Sequence, residues 1–266
     1  MLKKLTQQAT DLILHSIASG EVMGANLLIT KGNEELVYAQ AGMADREAEK
    51  PIERNTIFRL YSMTKPITAV AAMILMERGM LDLYEPVADI LPAFAHQKVE
   101  RDGKLYTPER PILMHDLLAM TSGLVYPEEQ TMGGRAVTKV FEEACARLES
   151  DHPVSTQEMA EKIAACPLVF APGTSWQYVG KPAAGNAAVD RTGRVYLCKF
   201  YAEMCAPELQ QGICVKGEYG WDGWLGAYFA NLPEQDITIL MGAQKKDAGT
   251  FSLTRRLRNL CLSNIL

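Results

Sequence analysis

The sequence predicts an α+β fold, in which an antiparallel β-sheet is flanked by N- and C-terminal helices and carries an inserted, shortened helical subdomain. Three observations favour it. Apolar runs separated by turn residues form a hairpin pattern near each end of the chain. Amphipathic patterns of helical period occupy residues 4–19 and 252–264, outside the two hairpins. The middle of the chain is mainly helical and loop-like in pattern.

The N-terminal hairpin directly follows the first amphipathic helix. Its strands are predicted over Ala25–Thr30 and Glu35–Gly42, with a turn at Lys31-Gly32-Asn33 between them. Thr56–Leu60 predicts a short strand or a segment that leads into the next helix.

A long helix is expected from Ser62 to Arg78, because Gly79 provides a typical C-cap. Residues Ala69–Met76 are apolar on all sides, so we expect this helix to be buried. Further helices and the closing hairpin follow at Ile112–Met120, Thr156–Ala165, Val195–Met204, Gly226–Asn231 and Ile237–Met241.

This order predicts two domains. Residues 1–60 and 215–266 would form the sheet domain, and residues 61–214 would form the helical subdomain that carries the helix beginning at Ser62.

Composition narrows the possible partners. The chain has 266 residues, of which 48% are hydrophobic and 22% charged, as in ordinary globular domains. A net charge of −5 and the absence of any Lys or Arg run longer than two argue against nucleic acid. No apolar stretch has membrane-spanning length and no export signal is visible, so we expect a cytoplasmic protein without membrane partners.

The cysteines and histidines predict neither disulfides nor a metal site. The six cysteines are irregularly spaced and lack a Cys-x-x-Cys pair, which favours buried reduced thiols. The four histidines are scattered and show no metal-ligand spacing. We therefore expect no metal and no organic cofactor, and the sequence leaves the oligomeric state open.

Ser62 and Lys65 are the candidate reactive pair. Their spacing places both side chains on one face of a helix, within reach of each other. A serine hydroxyl needs a base to act as a nucleophile, and a lysine can serve where burial lowers its pKa. The same tetrad is also typical of a helix start with a capping serine and a solvated lysine, so the spacing alone leaves both interpretations open.

The flanking residues resemble a known family at four ordered places. The segment from Phe58 to Ala69 is similar to the first motif of class C β-lactamases and family VIII carboxylesterases. Ile112–Leu124 contains a D-L-L-x-x-T-S-G-L stretch that resembles the same family. Phe170–Tyr178 and Gly220–Trp224 resemble the approach to its second motif and the esterase form of its third motif. The sequence is identified as a member of the serine β-lactamase and penicillin-binding-protein superfamily.

The resemblance implies roles for individual residues. Ser62 matches the acylated nucleophile, Lys65 its base partner and Tyr178 the tyrosine that moves protons between the nucleophile and the leaving group. Trp221, Asp222, Gly223 and Trp224 match the edge strand beside the substrate, with the N–H groups of Ser62 and Trp224 matching an oxyanion hole.

Two departures from the family pattern bear on substrate. Gly180 stands where the second motif has Asn, and Trp221 stands where the third motif begins with a cationic Lys. Tyr178 and Trp221 are only 43 positions apart, an interval several times longer in the family. The missing Asn and Lys favour cleavage of a small-molecule ester, with β-lactamase or D-alanyl peptidase activity on an amide as the first alternative. A degenerate member that binds a ligand or partner is the second alternative, and the short interval is its best support.

Overall fold

The computed structural model describes residues 2–178, 181–183, 215, 217–248 and 250–265. In chain order the helices of these residues are α1 (Leu2–Ala18), α2 (Thr64–Glu77), α3 (Val87–Ile90), α4 (Met114–Leu118), α5 (Met132–Arg147), α6 (Thr156–Ala164) and α7 (Ser252–Ile265). The strands are β1 (Gly24–Lys31), β2 (Glu34–Asp45), β3 (Lys50–Pro51), β4 (Val99–Arg101), β5 (Lys104–Tyr106), β6 (Trp176–Tyr178), β7 (Lys181–Ala183), β8 (Tyr219–Asp222), β9 (Tyr228–Leu232) and β10 (Ile237–Ala243).

The chain divides into two compact units. Met1–Val70 and Cys198–Leu266 form the first unit, and Ala71–Leu197 form the second. The domain boundaries expected from the sequence stay a prediction. The predicted helix Val195–Met204 lies outside the described residues.

A six-stranded antiparallel sheet forms the frame of the first unit, in the order β3-β2-β1-β10-β9-β8. The N-terminal and C-terminal hairpins meet where β1 pairs with β10, from Ala25 opposite Ala243 to Lys31 opposite Ile237. The register places alternate apolar side chains of both strands on one face. The predicted α+β class with an antiparallel sheet and terminal helices is confirmed.

The core of this unit lies between one face of the sheet and the two terminal helices. Leu5, Ala9 and Ile13 of α1 recur at helical spacing and are almost wholly buried. They share one apolar cluster with β1, β10 and α7, whose Leu253, Leu257 and Cys261 are equally buried. Burial raises the pKa of the Cys261 thiol to about 12, so this cysteine stays protonated at neutral pH.

The second unit contains α3 to α6 and has a smaller apolar cluster. Its buried members are Val87, Phe94, Val99, Ile112, Ala164 and Leu168. Asp116 at the first turn of α4 is wholly buried beside this cluster and accepts hydrogen bonds from both Arg110 Nη atoms, at 2.5 and 2.9 Å. Burial opposes ionisation of Asp116, but the Arg110, Leu113 N–H and Thr121 hydroxyl donors outweigh it and lower the pKa.

Helix α2 differs from its prediction in exposure. The helix ends as predicted, because Gly79 has φ of 67° and Gly79 N–H and Met80 N–H bond back to the carbonyls of Met76 and Leu75. The expected burial is wrong. The side chains of Ile67, Val70, Ile74 and Leu75 are between 39% and 56% exposed. Apolar composition shows which residues favour burial, whereas burial itself requires an element packed against them.

Three further differences are local. Thr56–Leu60 adopts no regular secondary structure, although all of it is described. Helix α5 was not predicted as a separate element, although Thr131 caps its N-terminus by accepting from Gly134 N–H. Cys145 on α5 is exposed rather than buried, whereas Cys166 is buried as expected. Cys198, Cys205 and Cys214 lie outside the described residues.

Among the helices in the described ranges, none combines the length and apolarity that a bilayer crossing requires.

The backbone at two glycines of the first unit predicts how much stability an alanine would cost at each position. Gly42 and Gly20 both have left-handed φ angles, of 86° and 74°. A Cβ at Gly42 would also collide with the carbonyl oxygen of Met23, whereas a Cβ at Gly20 would meet no atom within 4 Å. Gly20→Ala should lower the free energy of unfolding by about 1–2 kcal/mol through φ alone. Gly42→Ala should lower it by about 3 kcal/mol or more, since overpacking adds to the same strain.

Urea denaturation followed by circular dichroism would compare the two variants. Equal losses of stability in Gly42→Ala and Gly20→Ala would contradict the close backbone approach at Gly42.

Candidate active site

Ser62 lies in a single 3₁₀ turn, Tyr61–Met63, that leads directly into α2. Lys65 follows on the first turn of α2, and its Nζ donates to Ser62 Oγ at 3.0 Å. Both side chains are half-buried. The spacing seen in the sequence is therefore a direct contact in the structure, and Lys65 is within proton-transfer distance of the hydroxyl.

The residue before Ser62 has an unusual backbone. Tyr61 has φ of 49°, in the left-handed region that non-glycine residues rarely adopt. Such a conformation costs on the order of 1–3 kcal/mol and persists only where neighbouring contacts hold it. The strain lies immediately before the candidate nucleophile, which is a common place for it in functional sites.

Gly223 brings the end of β8 against the chain that precedes Ser62. A Cβ at position 223 would collide with the carbonyl oxygen of Leu60, so only glycine allows this approach. The turn after β8 is closed by Gly223 N–H donating to Ala227 O at 2.8 Å and by Gly226 N–H donating to Gly223 O at 2.8 Å. Gly226 has φ of 87°, which a glycine tolerates.

The other third-motif side chains have defined partners. Trp224 Nε1 donates to Asp247 Oδ1 at 2.5 Å, and the indole packs edge-on against the Tyr61 ring with centroids 5.4 Å apart. Asp222 Oδ2 accepts from the Thr250 hydroxyl at 2.5 Å, which indicates a structural role for this carboxylate. Trp221 is half-buried on β8, opposite Phe229 of β9.

The structure thus brings together most of the predicted site residues of the first unit. Ser62 contacts Lys65, and Gly223 and Trp224 contact the two residues that precede Ser62. Tyr178 belongs to the second unit, where it ends β6 and pairs with Lys181 of β7. Gly180 lies outside the described residues. The catalytic role assigned to Tyr178 therefore stays a prediction.

Gln244 is a site residue that the sequence analysis missed. Its Oε1 accepts from Arg59 N–H and its Nε2 donates to Arg59 O, both at 3.3 Å, so the amide pairs with the backbone three residues before Ser62. Nε2 also donates to Ala243 O at 2.6 Å, which fixes the amide orientation. The only signal in the sequence was a polar residue directly after the buried strand β10.

A second contact supports the same segment. The Phe58 ring lies against Gly242 of β10, where a Cβ would come within 2.7 Å of the ring. Consecutive residues 58, 59 and 60 are therefore held by Gly242, Gln244 and Gly223, which explains how the strained Tyr61 backbone is maintained.

The described residues contain no group of three or more His, Cys, Asp or Glu side chains suited to holding a metal ion.

We expect Gln244 to control the reactivity of Ser62 through the backbone of Arg59. Gln244→Ala should slow labelling of Ser62 by a fluorophosphonate by about tenfold, because a small displacement of a nucleophile is costly. The matched control is Gln40→Ala, which removes an exposed glutamine from β2. The rate of labelling of each variant would be measured by intact mass. Equal melting temperatures of the two variants would show that a difference in rate does not come from a loss of stability. Equal rates in the two variants would contradict the positioning role.

Comparison with known proteins identifies the family of the chain. The profile of the Beta-lactamase family matches residues 4–179. Esterase EstB of Burkholderia gladioli is 35% identical over 157 residues, which are 59% of this chain and 38% of that protein. Penicillin-binding protein 4* of Bacillus subtilis (strain 168) is 26% identical over 98 residues, 37% of this chain and 22% of that protein. The chain thus spans less than two fifths of the length of either relative.

Solved structures share the fold. EstCE1, described as a hydrolase with promiscuous acyltransferase activity, superposes with a TM-score of 0.70 at 16% identity, covering 99% of each chain. A family VIII carboxylesterase superposes with a TM-score of 0.63 at 16% identity, covering 98% of each chain. With the family profile matching from α1 to the end of β6, the chain belongs to the β-lactamase family.

Proposed function

We propose that this protein is a serine hydrolase that cleaves a small-molecule carboxylic ester through a covalent acyl-enzyme on Ser62. The observation that carries the proposal is the 3.0 Å contact between Lys65 Nζ and Ser62 Oγ at the start of α2. A hydroxyl paired with an amine in this way has a base in place for its proton. The similarity to an esterase from Burkholderia gladioli supports the same chemistry.

The reaction proceeds in two steps, acylation of Ser62 and hydrolysis of the acyl-enzyme. Ser62 Oγ attacks the ester carbonyl carbon and gives its proton to the Lys65 amine, and the alcohol then leaves with a proton returned through Lys65 or Tyr178. Water attacks the acyl-enzyme, releases the carboxylic acid and restores the serine hydroxyl. The N–H groups of Ser62 and Trp224 stabilise the oxyanion in both steps, assisted by the positive end of the α2 dipole.

Trp221 supports an ester rather than an anionic lactam as substrate. It occupies β8 at the position where the resemblance implies a cation in penicillin-recognising enzymes. An indole offers no charge to a substrate carboxylate, so nothing at this position favours an anionic substrate.

The short interval between Tyr178 and Trp221 favours one alternative, a degenerate member that binds a ligand without turning it over. Covalent labelling separates this binding protein from an enzyme.

Intact-mass measurement after exposure to a fluorophosphonate tests the nucleophile. The wild-type protein should gain one adduct and Ser62→Ala none, and hydrolysis of short-chain p-nitrophenyl esters should fall on the order of a thousandfold in Ser62→Ala. Ser263→Ala, at an exposed serine of α7, is the control and should label like the wild type. Labelling and turnover that persist in Ser62→Ala would exclude the proposed mechanism.

The role of Trp221 predicts a change of preference with charge. Wild-type protein should have a higher kcat/KM for neutral esters than for cephalosporins that carry a free carboxylate. Trp221→Lys should shift the ratio of the two kcat/KM values toward the anionic substrate by about 1 kcal/mol or less, since solvent screens the new charge. A wild-type protein that already prefers cephalosporins would establish the β-lactamase alternative.

A further inference from the structure

Two aromatic side chains lie on either side of the proposed reaction centre. Tyr61 directly precedes the nucleophile Ser62, and Trp224 contributes the second proposed oxyanion N–H. Their rings meet edge-to-face, with centroids 5.4 Å apart and an interplanar angle of 63°. Each side chain nevertheless remains open to solvent, Tyr61 to 46% and Trp224 to 44%.

The Trp224 ring and the Tyr61 backbone are held by contacts within the protein. The Trp224 indole is fixed by its 2.5 Å hydrogen bond to Asp247, and the backbone of the same loop is fixed by Ala248 N–H donating to Trp224 O at 3.1 Å. The Tyr61 backbone is left-handed and begins the 3₁₀ turn that contains Ser62. It directly follows Leu60, whose carbonyl oxygen lies against Gly223. Rigid groups lose little conformational entropy when a ligand binds, so such a surface is preorganised.

The two rings themselves carry no charge. The carboxylates of Asp247 and Asp222 each accept a hydrogen bond from a protein side chain, from Trp224 Nε1 and from the Thr250 hydroxyl. The exposed parts of Tyr61 and Trp224 therefore present aromatic faces and edges rather than charge. Aromatic rings associate best with further aromatic rings, in offset-stacked or edge-to-face geometry.

We propose that Tyr61 and Trp224 form a subsite for an aromatic ring of the substrate, and that the enzyme thereby selects esters with an aromatic ring close to the carbonyl. This inference rests on the proposed ester hydrolysis at Ser62. The ring can belong to the acyl group or to the alcohol, because both lie next to the carbonyl carbon that Ser62 attacks.

Matched substrate pairs test the subsite and distinguish the two sources of the ring. The acyl pair is methyl phenylacetate and methyl cyclohexylacetate, and the alcohol pair is benzyl acetate and cyclohexylmethyl acetate. Each pair differs only in whether the ring is aromatic. Proton release gives kcat/KM for all four esters. In at least one pair the aromatic ester should be favoured by about threefold to tenfold, the range expected for one aromatic contact.

Variants assign the selectivity to the two rings. Trp224→Leu and Tyr61→Asn should bring the aromatic-to-saturated ratio close to one, and asparagine suits the left-handed backbone at position 61. Tyr61→Phe keeps the ring and should keep the ratio. Tyr106→Leu removes a comparably exposed tyrosine from β5 and should also keep it.

Ratios near one in both wild-type pairs, or ratios unchanged in both Trp224→Leu and Tyr61→Asn, would overturn the subsite. Fluorophosphonate labelling of Ser62 in each variant shows that the reaction centre is intact. Failure of the proposed function is a different result, in which the wild-type protein is neither labelled at Ser62 nor active on any of the four esters.

Discussion

The hydrogen-bonded pairing of β1 with β10 joins the two ends of the chain, and the rest of the first unit depends on it. The pairing runs over seven residues on each strand, from Ala25 opposite Ala243 to Lys31 opposite Ile237. It merges two hairpins, each marginal by itself, into one sheet with an apolar face large enough to bind α1 and α7. It also brings residues near position 60 close to residues near positions 223 and 244, which are remote in the sequence.

The candidate active site is built on that juxtaposition. The segment before Ser62 has no regular secondary structure of its own, so its shape comes from contacts with the C-terminal strands. Gly242 receives the Phe58 ring, the Gln244 amide pairs with the Arg59 backbone and Gly223 accommodates the Leu60 carbonyl. Together these contacts offset the strain at Tyr61 and present Ser62 at the start of a helix. The position of Ser62 therefore depends on the integrity of the C-terminal strands.

The second unit shows how a buried charge can organise a loop. Asp116 is wholly buried, and its carboxylate is satisfied by Arg110, by Leu113 N–H and by the Thr121 hydroxyl. Thr121 O in turn accepts from Gly173 N–H at 2.8 Å, five residues before Tyr178. A carboxylate satisfied from several directions fixes the chain around it, because each lost donor would leave a costly buried acceptor. The D-L-L-x-x-T-S-G-L stretch therefore has a structural explanation in this unit.

The terminal helices, both hairpins and the proximity of Ser62 and Lys65 could be predicted from the sequence, because each depends on periodicity, turn residues or spacing within one segment. The exposure of α2, the partner of Gln244 and the pairing of Tyr61 with Trp224 could be read only from the folded chain. Burial and these contacts depend on residues that are far apart in the chain, such as Arg59 and Gln244. Local pattern shows which groups can interact, whereas only the packed sheet decides which of them meet.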